Sequence, residues 1–279
     1  MIRGVATVLL AVLLGAAAAH ARDISYSGAL VQGGLVVARA PGAQSASFDG
    51  RAVSVAGDGT FVFGINAEAR PEARLIVRYG DGFEEMHTLP IKRQIWKVER
   101  VDGLPPAMVN PPQAVEARIA RENTLIANAR KDQTLETWFA GGFAWPVVGR
   151  ISGVFGSRRI LNGQPMSPHW GVDIAMPTGT PVVAPAPGRV ALAEPDLYYT
   201  GGTIILDHGY GVTSTYAHLS KVGVKVGQIV QAGEQIGAVG ATGRVTGAHL
   251  HWTLNWFDVR IDPALVVAAA QSRWVWSRA

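Results

Sequence analysis

The chain has 279 residues, of which 48% are hydrophobic and 16% charged. That supports packed cores in about two domains and excludes a largely disordered chain. The net charge of +4 is a mild basic excess, and no basic run alternates with aromatics, so a nucleic-acid partner is not expected. Cysteine is absent, which excludes thiolate ligands, disulfides and a cysteine-linked lipid. Thirty-three glycines and sixteen prolines with sparse charge suit a turn-rich, mainly β protein better than a helical bundle.

The chain opens with Arg3, an apolar run from Val5 to Leu14, and Ala19-His20-Ala21, a small-x-small pattern. This predicts a secretory signal peptide over residues 1–21, cut after Ala21. The apolar stretch through Ala19 is about 15 residues, short of the roughly 20 that a spanning helix needs. The expected product is exported, periplasmic or secreted, with no stable membrane insertion after cleavage.

Residues 22–101 read as a small β-sandwich-like domain. Leu35-Val36-Val37, Ala52 to Val55, Phe61-Val62-Phe63 and Leu75-Ile76-Val77 are short strand-like runs. Asp58-Gly59 and Asp81-Gly82 supply turn signals between them. Residues 102–144 are a linker and a helix. Asn110 is placed to cap the helix, Pro111 to occupy its first position, and Gln113 lies three residues on. Val115, Ile119, Leu125, Ile126, Ala129 and Leu135 recur at helical spacing over 113–138. The arginines on that segment, Arg118, Arg121 and Arg130, read most simply as a solvated face.

From Trp145 the pattern is β again, predicting a compact antiparallel domain over 145–265. The repeat of Val226 to Val230 and Gly233 to Gly237 predicts two neighbouring strands joined by a tight turn. Residues 266–279 form a C-terminal extension whose Trp274 and Trp276 are expected to pack back on the domain.

Three segments in this half carry metal chemistry: His169-Trp-Gly-Val-Asp173, Tyr216-Ala-His218-Leu219 and His249-Leu-His251. The chain has seven histidines, and four of them fall in these motifs. Alternation along a strand points His249 and His251 to one face. His20, His87 and His208 read as structural. Nitrogen and carboxylate donors suit zinc, and a catalytic zinc keeps about three protein ligands with one position open. His169, Asp173 and His251 supply three, leaving His218 and His249 for proton transfer and oxyanion stabilisation. The sequence leaves open which of the two takes which part.

This motif set, with Gly153 to Arg158 upstream and Gly243 to Gly247 before the final strand, resembles the lysostaphin-like (LytM-type) zinc metallopeptidases. The resemblance covers about residues 145–265. It implies a C-terminal antiparallel β metallopeptidase domain that cleaves peptide bonds in bacterial peptidoglycan. It also implies one zinc per chain on His169, Asp173 and His251, with His218 and His249 as catalytic histidines. By the same resemblance Arg158 would hold a substrate carboxylate, with a loop-fixing ion pair as its equal alternative. Tyr216, a strand residue near His218, is expected to line the groove. Trp170 and Trp252, next to the ligands, are expected in the core. Some members of the family have lost ligands and only activate amidases; all five residues are present here, and a non-catalytic wall-binding or amidase-activating protein is the alternative. A faint likeness of 226–237 to biotinyl or lipoyl carriers lacks the lysine at a hairpin tip. The β domain and helix upstream of an intact site also raise intramolecular inhibition by the N-terminal domain as an expectation to test.

Overall fold

The computed structural model describes residues 23–102, 112–131 and 133–267. The signal peptide, the Asn110 cap with Pro111, and Trp274 and Trp276 lie outside the described residues. No described helix is long and apolar enough to cross a membrane.

The first half contains β1 (Ser25–Gly28), β2 (Leu35–Arg39), β3 (Ala43–Phe48), β4 (Arg51–Val53), β5 (Thr60–Gly64), β6 (Glu72–Tyr79), β7 (Glu84–Pro90) and β8 (Val98–Val101). Two antiparallel sheets form, ordered β1-β2-β5 and β4-β3-β6-β7. Strand β6 alternates: Ala73, Leu75, Val77 and Tyr79 are buried, as period-two patterning requires of a half-buried strand. Phe48 of one sheet stacks on Phe63 of the other at 4.3 Å. A sandwich-like layer pair therefore stands where the runs predicted it. The strands missed in these two sheets were those without apolar runs, β1, β3 and β7.

Strand β8 behaves differently. It pairs in parallel with β10 (Arg158–Leu161), far along the chain, and β10 continues antiparallel to β11 (Gln164–Pro165). Trp96, just before β8, meets Phe155 edge to face at 5.7 Å. Its ring fills the space beside Gly156, where φ is +76° and any Cβ would collide with it. Val98–Val101, read from sequence as the end of the first domain, is thus tied to the second.

Helix α1 (Gln113–Lys131) is shorter than the predicted 113–138. The chain leaves the helix to cross the sheet end, where Thr134 N donates to buried Asp207 Oδ2 at 2.7 Å. Leu135 is consequently exposed rather than helical. Ala129 and Ile126 pack on Leu192, Leu197 and Ile205. Arg118 is not simply solvated: it bridges Glu122 and Asp196 and pins the helix to the sheet below.

That sheet is the frame of the second half. Its order is β18 (Ile229–Val230), β14 (Gly188–Leu197), β15 (Gly201–Asp207), β16 (Val212–Leu219), β20 (His249–Trp256), β12 (Val172–Ala175) and β9 (Arg150–Gly153), with β21 (Val259–Ile261) on β20. Neighbours are antiparallel throughout. A small second sheet joins β13 (Pro181–Val183), β19 (Gln235–Ala238) and β17 (Lys221–Val222). The two glycine-punctuated repeats are not strand neighbours: Ile229–Val230 pairs with β14 and Gln235–Ala238 with β13 and β17. Each short segment closes a different sheet, a choice that local turn chemistry does not specify.

One face of the large sheet is core. Leu250, Trp252 and Leu254 of β20 lie against Tyr216, Ile204 and Ile174, all completely buried. The opposite face carries His249, His251, Thr253 and Asn255.

Candidate metal centre

Strand pairing brings the motifs together. In β12 against β20, Asp173 is opposite His251; in β16 against β20, Ala217 is opposite His251. His169 stands in the loop before β12, with its backbone N–H donating to Ser157 O at 2.8 Å. Three donor atoms converge. His169 Nε2 is 3.0 Å from Asp173 Oδ1, His251 Nδ1 is 2.7 Å from the same oxygen, and the two imidazole nitrogens are 3.0 Å apart. His169 and Asp173 are buried and His251 half-buried.

The tautomer of His169 follows from its other nitrogen. Nδ1 faces Val154 O at 3.1 Å, so Nδ1 carries the hydrogen and Nε2 presents a lone pair. That lone pair faces a carboxylate oxygen and a second imidazole. Acceptors aimed at one another are repulsive unless a cation lies between them, and two nitrogens with one carboxylate oxygen are a donor set that fits zinc.

The second oxygen of Asp173 has a partner the sequence did not single out. Arg159 Nη2 donates to Oδ2 at 2.8 Å, and Arg159 Nε lies 3.7 Å from Glu99 Oε2 on β8. Arg158, the arginine named from sequence, is exposed on β10 next to it; alternation turns only its neighbour toward Asp173. Gly153 of β9 allows this packing, since a side chain there would collide with Oδ2.

His218 reaches the site through an unusual backbone. Along β16 it should share the buried face of Tyr216. Its φ of +64°, at the point where the register with β15 shifts, turns it to the polar face. The imidazole lies 4.8 Å from that of His249 and 5.9 Å from that of His251, centre to centre. A non-glycine residue with positive φ costs about 1–3 kcal/mol and persists only where surrounding structure enforces it. Here His218 N donates to Thr200 O at 2.7 Å and Nδ1 to Thr242 O at 2.9 Å. Burial, with His251 and His249 adding, pushes His218 down to about 3. His249 Nδ1 donates to Gly247 O at 2.8 Å, and its Nε2 stands 3.7 Å from Asp173 Oδ1. Both histidines therefore present Nε2 as an acceptor.

Tyr216 does not line a groove. It is completely buried, and burial pushes its phenol far up. Its hydroxyl belongs to a chain whose direction can be assigned. His208 Nδ1 donates to Pro187 O at 2.6 Å, so Nε2 accepts from Ser214 Oγ at 2.7 Å, which in turn accepts from Tyr216 at 2.7 Å. Even alternation from Ser214 fixes Tyr216 inward, which corrects the substrate-contact expectation and confirms His208 as structural. Trp252 is core, against Trp145 at 5.6 Å; Trp170 is half-buried beside Phe155.

Residues 167–263 match the model of Peptidase family M23. The peptidoglycan DD-endopeptidase ShyA of Vibrio cholerae is 44% identical over 106 residues, covering 38% of this chain and 24% of that protein. The DD-carboxypeptidase/endopeptidase Mpg of Neisseria meningitidis is 42% identical over 120 residues, covering 43% of this chain and 27% of that protein. The chain thus spans about a quarter of the length of the curated relatives it matches. A Pseudomonas aeruginosa crystal structure, determined as a candidate peptidase M23, aligns over 86% of this chain and 95% of its own. Its TM-score is 0.65 and its identity 33%.

Proposed function

Because the chain belongs to peptidase family M23, we propose that it is a zinc-dependent endopeptidase that hydrolyses peptide bonds in bacterial peptidoglycan. The observation that carries this reading is the convergence of His169 Nε2, Asp173 Oδ1 and His251 Nδ1, with two further imidazoles at the same face. Relatives named as peptidoglycan endopeptidases support the substrate class. The N-terminal apolar run supports export to the periplasm or beyond.

His169, Asp173 and His251 would hold the zinc. A zinc ion there supplies Lewis acidity and brings water ionisation near neutral pH. The protein's own groups do the rest. Arg159 fixes the carboxylate through Oδ2, leaving Oδ1 to face inward. His218 and His249 both enter as acceptors, their Nδ1 hydrogens already committed to backbone carbonyls. Each can take a proton from attacking water. The imidazolium so formed can then stabilise the oxyanion or protonate the leaving amine. The upstream segment acts first as support: Glu99 backs Arg159 and α1 covers Leu192, Leu197 and Ile205. Inhibition by the N-terminal sheets would be a further function of the same segment.

Release of soluble muropeptides from purified sacculi, before and after chelation and after zinc is restored, tests the reading. Cleavage that survives complete zinc removal rejects it. Wall binding without cleavage by the zinc-loaded chain would favour a wall-binding or amidase-activating protein instead.

A further inference from the structure

The polar face of the large sheet continues past the histidines. Beyond His251, β20 presents Thr253 and Asn255, paired across the ladder with Thr215 and Thr213 of β16. Two arginines arrive over this floor from different elements. Arg130, in the last turn of α1, donates from Nη2 to Thr215 Oγ1 at 3.3 Å. Arg260, opposite Asn255 in β21, approaches Asn255 Oδ1 at 3.5 Å. Both side chains are half-buried, so each is partly desolvated.

Their charges are not offset. Among the described residues no carboxylate makes an ion pair with either arginine, and the charge that bears on Arg130 is the like charge of Arg260. Burial, with that like charge adding, pushes Arg130 down to about 9; burial also lowers Arg260. Arg130 Nε, Thr253 Oγ1 and Asn255 Nδ2 are buried without hydrogen-bond partners among the described residues. Desolvated cations and unmatched donors are costly unless an anion meets them. A patch that collects them beside a reactive centre is better explained by a ligand than by packing. Guanidinium forks match carboxylate geometry.

We propose that Arg130 and Arg260, with Thr215 between them and the histidines, form a subsite that binds a carboxylate of the peptide substrate. This rests on the peptidase reading above and adds the chemistry of substrate recognition to it. Thr253 and Asn255 are two and four residues beyond His251. At roughly 3.3 Å per residue, the subsite lies about 7–13 Å from the ligand cluster. An extended peptide covers that span in about two to four residues, so the carboxylate recognised is set back from the scissile bond by that number of units. The helix upstream of the peptidase domain thereby contributes a recognition residue to it.

The test uses two synthetic wall peptides of identical sequence, one with its free carboxylate two to four units from the scissile bond and one with that carboxylate amidated. On the full zinc-loaded chain, Arg130→Gln and Arg260→Gln are each expected to raise KM for the acid peptide about 10-fold or more, the range of a charged hydrogen bond. kcat should stay within about twofold. For the amide peptide, the unsubstituted chain should already show the raised KM, and the variants should change nothing further. Arg→Lys should recover part of the discrimination. Equal KM for acid and amide on the unsubstituted chain overturns the proposal, as does an equal loss on both peptides in the variants. Equilibrium binding of the same two peptides to chelator-treated chain reads the subsite without turnover. If no hydrolysis occurs but acid-selective, Arg130-dependent binding does, the peptidase reading fails and the subsite stands. If hydrolysis proceeds without selectivity, the subsite fails alone.

Discussion

Replacing Arg159 by alanine tests how the candidate metal carboxylate is held. Arg159 Nη2 donates to Asp173 Oδ2 at 2.8 Å, with 31% of the arginine side chain and 10% of the aspartate side chain exposed. A hydrogen bond between charged groups contributes about 1.5–3 kcal/mol. A guanidinium near a metal site also repels the cation, and the two effects oppose each other. Glu99 Oε2, 3.7 Å from Arg159 Nε, offsets much of that charge, so orientation of the carboxylate is the larger effect. Arg159→Ala is therefore expected to weaken zinc binding about 10–100-fold, as losing the group that orients a ligand does. That range matches the hydrogen-bond figure at about 1.4 kcal/mol per decade. Arg159→Lys should fall between. Glu99→Gln leaves the guanidinium uncompensated and should also weaken binding, while the double variant falls short of additivity because the three groups share one network. Competition with a chromophoric chelator on the full chain reads the affinity, and Tm in parallel separates unfolding from ligand loss. Zinc affinity in Arg159→Ala within twofold of the parent, or tighter, would refute the reasoning.

Asp173→Asn replaces an anionic oxygen with a neutral one between two imidazoles. It should lower zinc affinity by more than about 100-fold, beyond what losing an outer partner does, as read by metal analysis after dialysis. His218→Ala and His249→Ala should keep stoichiometric zinc yet lose roughly 10²–10⁴ in kcat, the usual contribution of a positioned acid or base; loss of zinc in either would move that histidine into the ligand set. Burial lowers His208 from 6.5 to about 4, so its folded form binds a proton less readily than the unfolded chain. The contribution is present above pH 6.5 and declines as pH falls toward 4, by a few kcal/mol at most. Urea unfolding across that window should show a slope that flattens in His208→Gln; parallel curves would remove His208 as the cause. A chain starting at Gly141 lacks β8 and α1, uncovering Leu192, Leu197 and Ile205 and separating Glu99 from Arg159. It should lose Tm and zinc affinity, with burial of about 1.5–3 kcal/mol per large apolar side chain at stake. A faster, equally stable truncated enzyme would instead indicate inhibition by the removed segment.

The sequence by itself determined the β texture, the candidate donor set and the shared face of His249 and His251. These depend on composition, residue chemistry and the two-residue period of a strand, all local quantities. Only the tertiary structure decided which arginine meets Asp173, because Arg158 and Arg159 differ by one step of alternation and the choice belongs to the pairing of β10 with distant β8. It also decided His218, which alternation assigns to the core beside Tyr216 and which a positive φ at a register shift returns to the histidine face. The same holds for Arg130, whose place on the helix reads as solvated until α1 docks on β14 and β15. In each case the deciding contact joins residues more than a dozen positions apart, and its energy comes from pairing and burial that no local pattern encodes.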